Sequence, residues 1–290
     1  MSNATQMTLP DGRQLDVFTV GPADATPLVF HHGSPSSGLP AAGFVKAAAD
    51  HGLRYVAWSR PGYGDSTRQP GRSVANVAAD TAAVLDLIGA DRAYTLGWSG
   101  GGPHAMACAA LLPERIVAAA TIGAVAPYPA EGIDWFEGMG PENIEEFGAS
   151  LEGPEALIAF KERAWPIWRN VTGEQIAEAF GGLIDEVDRG SLTGEFAEEG
   201  AASFREGLRI GYWGWFDDDM AFNRSWGFAL ESMTVPVHLW QGGHDKMVPY
   251  AHGQWLAAHV GSACPHLLPE HGHLTLVVDS IGQILDELVA

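Results

Sequence analysis

LGWSGGGPHAMACAAL, residues 96–111, is the stretch that decides how this chain is read. One serine, Ser99, stands among four glycines, and an alanine-rich run follows as far as Pro113. AYTLGW (93–98) has the composition of a buried strand, and GGGPHAMACAALLP reads as a helix ended by proline. Gly97-Trp98-Ser99-Gly100-Gly101 therefore fits G-x-S-x-G on a strand–turn–helix. Such a turn holds its central residue in strained backbone geometry and leaves no room for side chains beside it. It lifts the Ser99 hydroxyl above the strand ends and aims a helix N-terminus at the same point, so that the Gly100 N–H faces developing negative charge. Glycine-rich turns also hold phosphates, but no Walker lysine follows, and the first βα turn, HHGSPS, is not G-x-G-x-x-G.

Working outward, MTLPDGRQLDVFTV alternates around a PDG turn and predicts an N-terminal hairpin. PLVFHHG (27–33), LRYVAWS (53–59) and RIVAAATIG (115–123) predict strands. Helices are expected over Leu39–His51 and over SVANVAADTAAVLDLIGA, opened by Ser73. This alternation argues for an α/β fold with a mostly parallel sheet covered on both faces. From Ala124 to Ser232 no run suits a core strand. Helical segments take its place at 141–151, 154–168, 173–183 and 195–210, along with six of the ten tryptophans. Strands resume at VPVHLWQG (235–242) and CPHLLPE, with helices at 249–259 and 274–289. The expected organisation is a core of residues 1–123 and 233–290 carrying a helical cap insertion, 124–232.

Composition narrows the partners. The net charge is −20, and the stretch 124–232 holds 22 of the 36 acidic but only 7 of the 16 basic residues. Such a chain repels nucleic acid and anionic membranes. The N-terminus lacks the basic and apolar regions of a secretory signal, and no apolar run is long enough for a membrane span. Two cysteines, Cys108 and Cys264, in apolar surroundings read as buried free thiols of a cytoplasmic protein.

A serine hydroxyl needs a base to take its proton, and the base needs an orienting acid. Downstream, GGHDKMVP places Asp245 in a loop at a strand end, and HGHLTL places His271 and His273 before the last helix. The order Ser, Asp, His fits.

Taken together, HHGSP (31–35), SRPGYGDS (59–66), GWSGGG (97–102), GGHDKMVP (242–249) and GHLT (272–275) resemble the motifs of the α/β-hydrolases that carry a helical cap. The resemblance spans the core but not the insertion. It implies Ser99 as nucleophile, Asp245 as acid and His273 as base, with His271 the competitor. It also implies an oxyanion hole from the Ser34 and Gly100 N–H groups, the Ser34 hydroxyl being a further candidate donor. Gly33 would let the backbone approach the substrate, and Trp98 would line the pocket floor. His32, Arg60 and Asp65 read as loop braces, and His104 could face either way. Relatives that open epoxides or remove halide carry aspartate where this chain has Ser99. The implied activity is hydrolysis of a small, neutral, apolar carboxylic ester through an acyl-enzyme, with no metal or organic cofactor. The open alternatives are a proline iminopeptidase, for which the acidic insertion could hold an amine, a carbon–carbon hydrolase or perhydrolase, and a small-molecule receptor.

Overall fold

The computed structural model describes residues 4–290. Eight strands form one sheet: β1 (Thr5–Thr8), β2 (Gln14–Val20), β3 (Pro27–His31), β4 (Arg54–Trp58), β5 (Ala93–Trp98), β6 (Ile116–Ile122), β7 (Val237–Gly242) and β8 (Ala263–Leu268). Their spatial order is β1-β2-β4-β3-β5-β6-β7-β8. β1 pairs antiparallel with β2, and β2 with β4, whereas the other pairs are parallel. β4 lies on one side of β3 and β5 on the other, so the chain changes direction between β3 and β5. In open α/β sheets the crevice at such a point is where ligands bind. Register brings His31 of β3 opposite Gly97 of β5, so the HHGSP loop and the Ser99 turn leave the sheet side by side.

Side-chain alternation sorts the strands between two layers. Val29, Val56 and Trp58 face one way with Met106 and Cys108 of helix α3 (Gly102–Leu111) and with α2 (Val77–Leu87). Leu28, Phe30, Tyr55 and Leu96 face the other, against α1 (Ala42–Asp50) and α11 (Thr275–Val289). α10 (Tyr250–His259) packs beside β7 and β8. Of the two thiols, Cys108 is buried as expected, but Cys264 is only half-buried because it sits on the edge strand β8.

Between β6 and β7 lie six helices and no strand: α4 (Pro141–Glu152), α5 (Pro154–Trp168), α6 (Ile176–Phe180), α7 (Glu186–Arg189), α8 (Gly194–Gly207) and α9 (Trp213–Phe222). α7 and α9 are absent from the sequence-based expectation: α7 is only four residues long, and for α9 the reason is electrostatic. Asp217, Asp218 and Asp219 of α9 look like a solvated run, yet all three are buried. Each faces a cation: Arg68 for Asp217, Arg60 and Arg72 for Asp218, Lys161 for Asp219. Pairing makes burial of these charges tolerable.

Candidate active site

The glycines around Ser99 have a steric cause. A Cβ on Gly97 would lie 2.2 Å from the Gly101 carbonyl oxygen, and one on Gly101 would lie 2.0 Å from that of His31. The turn is thus pressed against β3 and against its own helix. Ser99 sits at φ 55°, the left-handed region, and non-glycine residues go there only where the surroundings impose it. A short 3-10 turn, Ser99–Gly101, leads into α3. Gly100 N–H lies in its first turn, ahead of the first intrahelical acceptor, and is free for an external one.

Beside this turn is the HHGSP loop. A Cβ on Gly33 would approach Ser99 Cβ to 3.2 Å, and one on Gly100 would approach Ser34 Oγ to 2.8 Å. Gly33, Ser34, Ser99 and Gly100 are therefore packed together. His32 braces the loop by accepting the Arg60 N–H at its Nε2 (3.1 Å), which leaves Nδ1–H to donate to the Gly33 carbonyl (2.7 Å). Burial, reinforced by Arg60, holds its pKa well below the usual histidine value, as the neutral tautomer requires. The Ser34 hydroxyl does not point to an oxyanion site. It donates to Asp218 of α9 at 2.6 Å, which corrects its reading as a further donor.

Asp245 and His273 meet at the far side of the sheet's C-terminal edge. His273 Nδ1–H donates to Asp245 Oδ2 at 2.6 Å, and both residues are buried. Asp245 also accepts from Met247 N–H (2.9 Å), Val248 N–H (2.7 Å) and Gln241 Nε2 (3.1 Å), which fixes the carboxylate. Burial raises its pKa above the ordinary carboxylate value, against the pull of His273. Burial draws the His273 pKa down, but the charge and hydrogen bond of Asp245, with a smaller contribution from Asp188, outweigh it and leave it raised. His271 turns outward, 3.9 Å from Asp279. Asp65 is a surface residue paired with Arg209 at 2.6 Å. His104 lies beneath the turn, its Nδ1 2.9 Å from the Gly100 carbonyl. The Ser99 hydroxyl makes no hydrogen bond among the described residues.

Ser34, Ser99 and Gly100 line a cavity of about 300 Å³ whose other walls come from α4, α5, α6, α9 and the Met247–Val248 segment. Its surface is mostly apolar, with Phe147, Ile167, Trp168, Phe180, Leu183 and Phe222 in the wall.

Residues 26–145 match the model of the alpha/beta hydrolase fold family. The chain is 30% identical to a non-heme chloroperoxidase of Streptomyces lividans over 84% of its length and 83% of that protein. The chain belongs to the alpha/beta hydrolase family. It is also 28% identical to a bifunctional esterase/perhydrolase of Acinetobacter calcoaceticus, over 84% of the chain and 83% of that protein. An esterase from Exiguobacterium antarcticum superposes with a TM-score of 0.73 over 99% of the chain and 100% of its own, at 18% identity, a likeness of fold.

In this hydrolase Trp98 is not among the cavity-lining residues. Strand alternation turns its ring, like the Leu96 side chain, to the α11 side, where it packs against Phe44, Phe196 and the His273 ring at centroid distances of 5.9, 6.4 and 5.9 Å. Gly33 lies behind Ser99 rather than on the cavity wall. Of the six tryptophans between 124 and 232, only Trp168 and Trp215 reach the cavity. The others pack: Trp135, for one, sits edge-on to Tyr128, Phe147 and His252.

Two residues at the site escape the sequence reading. Asp218 ties α9 to Ser34, Arg60, Arg72 and Tyr63. Asp188 of α7 holds the backbone of His273. Asp218 is the middle of a three-aspartate run and Asp188 one acid of an acid-rich segment, and nothing in their spacing sets them apart. Away from the cavity, ligand atoms of His238, His266 and Glu287 lie within 4.8 Å of one another, with His238 Nδ1 and His266 Nε2 3.3 Å apart in a mutual hydrogen bond.

Proposed function

We propose that this hydrolase cleaves small, neutral carboxylic esters through an acyl-enzyme, and that helices α4–α9 act as a cap over the site. The observation that carries this reading is the placing of Ser99, at φ 55°, with Ser34 and Gly100 on one wall of a mostly apolar cavity. The 2.6 Å Asp245–His273 bond supports it, because it leaves His273 Nε2 as the basic nitrogen. In the reaction His273 takes the Ser99 proton as Oγ attacks the ester carbonyl. The Ser34 and Gly100 N–H groups stabilise the tetrahedral oxyanion. His273 then protonates the departing alkoxide. Water, deprotonated by His273, attacks the acyl-serine, releasing the acid and restoring Ser99.

The electrostatics of the cavity favour a neutral substrate over an amine. Three of its four carboxylates are already paired with cations. Glu145 pairs with Arg163, Glu146 and Asp219 share Lys161, and Glu142 accepts the Gly182 N–H. Lys161 itself occupies the cation position, 3.4 Å above the Trp215 ring. This speaks against the iminopeptidase alternative despite the acidic insertion.

A second reading has a specific support in the names of two relatives, the chloroperoxidase and the esterase/perhydrolase. If hydrogen peroxide replaces water at the acyl-serine, the product is a peracid. The test of the main reading is hydrolysis of p-nitrophenyl acetate, butyrate and octanoate by wild type and Ser99→Ala. The mutant should lose roughly three orders of magnitude or more. Equal activity in the two proteins would remove Ser99 from the mechanism, and peracid assay with acetate and peroxide tests the second reading.

A further inference from the structure

Helix α11 begins immediately after His273, and its N-terminal N–H groups need acceptors. No side chain of the helix's own N-terminal segment caps them. The acceptor is Asp188, some 85 residues earlier in the chain, on the four-residue helix α7. Its Oδ2 accepts the His273 N–H at 2.7 Å. Its Oδ1 accepts the Leu274 and Thr275 N–H groups, both at 2.9 Å, and the Thr275 hydroxyl at 3.1 Å. The Thr275 hydroxyl oxygen in turn accepts the Gly272 N–H at 2.7 Å, closing the network. The carboxylate is fully buried and lies flat on the backbone, since a Cβ on Gly272 would meet its Oδ1 at 2.3 Å.

α7 also reaches the loop of the acid. Asp185, which opens α7 by accepting the Val187 N–H at 3.0 Å, bonds His244 Nδ1 at 2.9 Å, one residue before Asp245. The His244 N–H donates to the His271 carbonyl at 2.8 Å, so the two loops and α7 form one unit.

We propose that Asp188 is a positioning residue for His273: α7 carries its carboxylate to the N-terminus of α11 and thereby fixes the imidazole against Asp245. The proposal deepens the serine-hydrolase reading and rests on it for its kinetic consequence. A generic helix cap would satisfy N–H groups anywhere in the first turn, whereas this one holds the N–H of the proposed base itself. Asp188 is also one of two anions acting on the His273 ring, the other being Asp245.

The test compares wild type with Asp188→Asn and Asp188→Ala by three readouts. Asparagine can keep the three bonds at Oδ1 but presents a donor to the His273 N–H and removes the charge, so Asp188→Asn should fold. In it, amide exchange at His273 should quicken by roughly tenfold or more, the loss of one charge-assisted hydrogen bond. The His273 ring should titrate at lower pH by NMR. With p-nitrophenyl butyrate kcat should fall roughly tenfold to a hundredfold with KM nearly unchanged. Asp188→Ala should show larger effects of the same kind. Unchanged exchange and an unchanged titration in a folded Asp188→Asn protein overturn the proposal. If both spectral changes occur but wild type hydrolyses no ester and does not react at Ser99 with a fluorophosphonate, the hydrolase reading fails while the hold of Asp188 on His273 stands.

Discussion

Ser34 and Asp218 are joined by a 2.6 Å hydrogen bond that ties the loop beside Ser99 to helix α9. The same carboxylate pairs with Arg60 and Arg72, each at 2.6 Å, and accepts the Tyr63 hydroxyl at 2.7 Å. Although burial alone would raise its pKa, the two guanidinium groups hold it well below the carboxylate range. Asp218→Ala leaves two buried arginines without their anion and should cost about 3–5 kcal/mol, measured by urea unfolding. Ser34→Ala removes two hydrogen bonds, the one donated to Asp218 and the one accepted from Arg60 at 3.2 Å, and keeps the backbone N–H. It should cost about 1–2 kcal/mol and retain kcat within tenfold if the N–H, and not the hydroxyl, serves the oxyanion.

The pH dependence of hydrolysis follows from His273. Its pKa is raised by Asp245, with Asp188 adding to the effect, against burial. The base must be neutral to act, so kcat/KM should rise with pH through a midpoint above the ordinary histidine value of about 6.5. For stability the sign is opposite. A raised pKa stabilises the fold fully below the unfolded value, and that contribution is lost as pH rises through the folded one. Asp245→Asn should move the kinetic midpoint down and lower kcat by roughly 10³–10⁴-fold. A midpoint at or below that of an ordinary histidine in wild type would contradict the assignment of His273 as base.

Gly123, at the end of β6, should tolerate no side chain. It lies at φ 59°, and a Cβ there would sit 2.6 Å from His273 Nδ1 and 3.1 Å from Asp245 Oδ2. Gly123→Ala should separate the pair, reducing kcat roughly a hundredfold, and should destabilise the fold by about 1–3 kcal/mol through backbone strain. Activity within twofold of wild type would show that the pair is not needed.

The sheet was legible because each core strand is a short apolar run bounded by turn residues, and the parallel order follows from the alternation with helices. The Ser99 turn was legible because steric crowding leaves only glycine beside it. The inserted helices were legible only where they are amphipathic, as in α4, α5 and α8. α9 hid because three buried aspartates look solvated until Arg60, Arg68, Arg72 and Lys161 are placed beside them. Trp98 departs from its expected place for a simpler reason. Alternation at the end of β5 sends its side chain away from the cavity, although it adjoins Ser99 in the sequence.

Acid should unfold this protein earlier than its carboxylates alone require. His31, His32, His104 and His252 are buried. Burial, aided at the first three by Arg60, lowers their pKa values, to about 3 for His31, about 4 for His252, and well below the ordinary value for His32 and His104. His252 shows why the neutral form is kept. Its Nδ1 accepts the Ala126 N–H at 3.1 Å, so only Nε2 carries a proton, donated to the Trp135 carbonyl at 2.9 Å. With folded pKa values depressed, the stability they support is present above the unfolded value of about 6.5 and is lost as pH falls. Each contributes a slope of up to about 1.4 kcal/mol per pH unit between pH 6.5 and its own folded value. Urea midpoints at pH 7.5, 6.5, 5.5 and 4.5 should therefore fall steeply over the last two steps. A flat profile down to pH 4.5 would mean that these histidines take up protons without unfolding the chain.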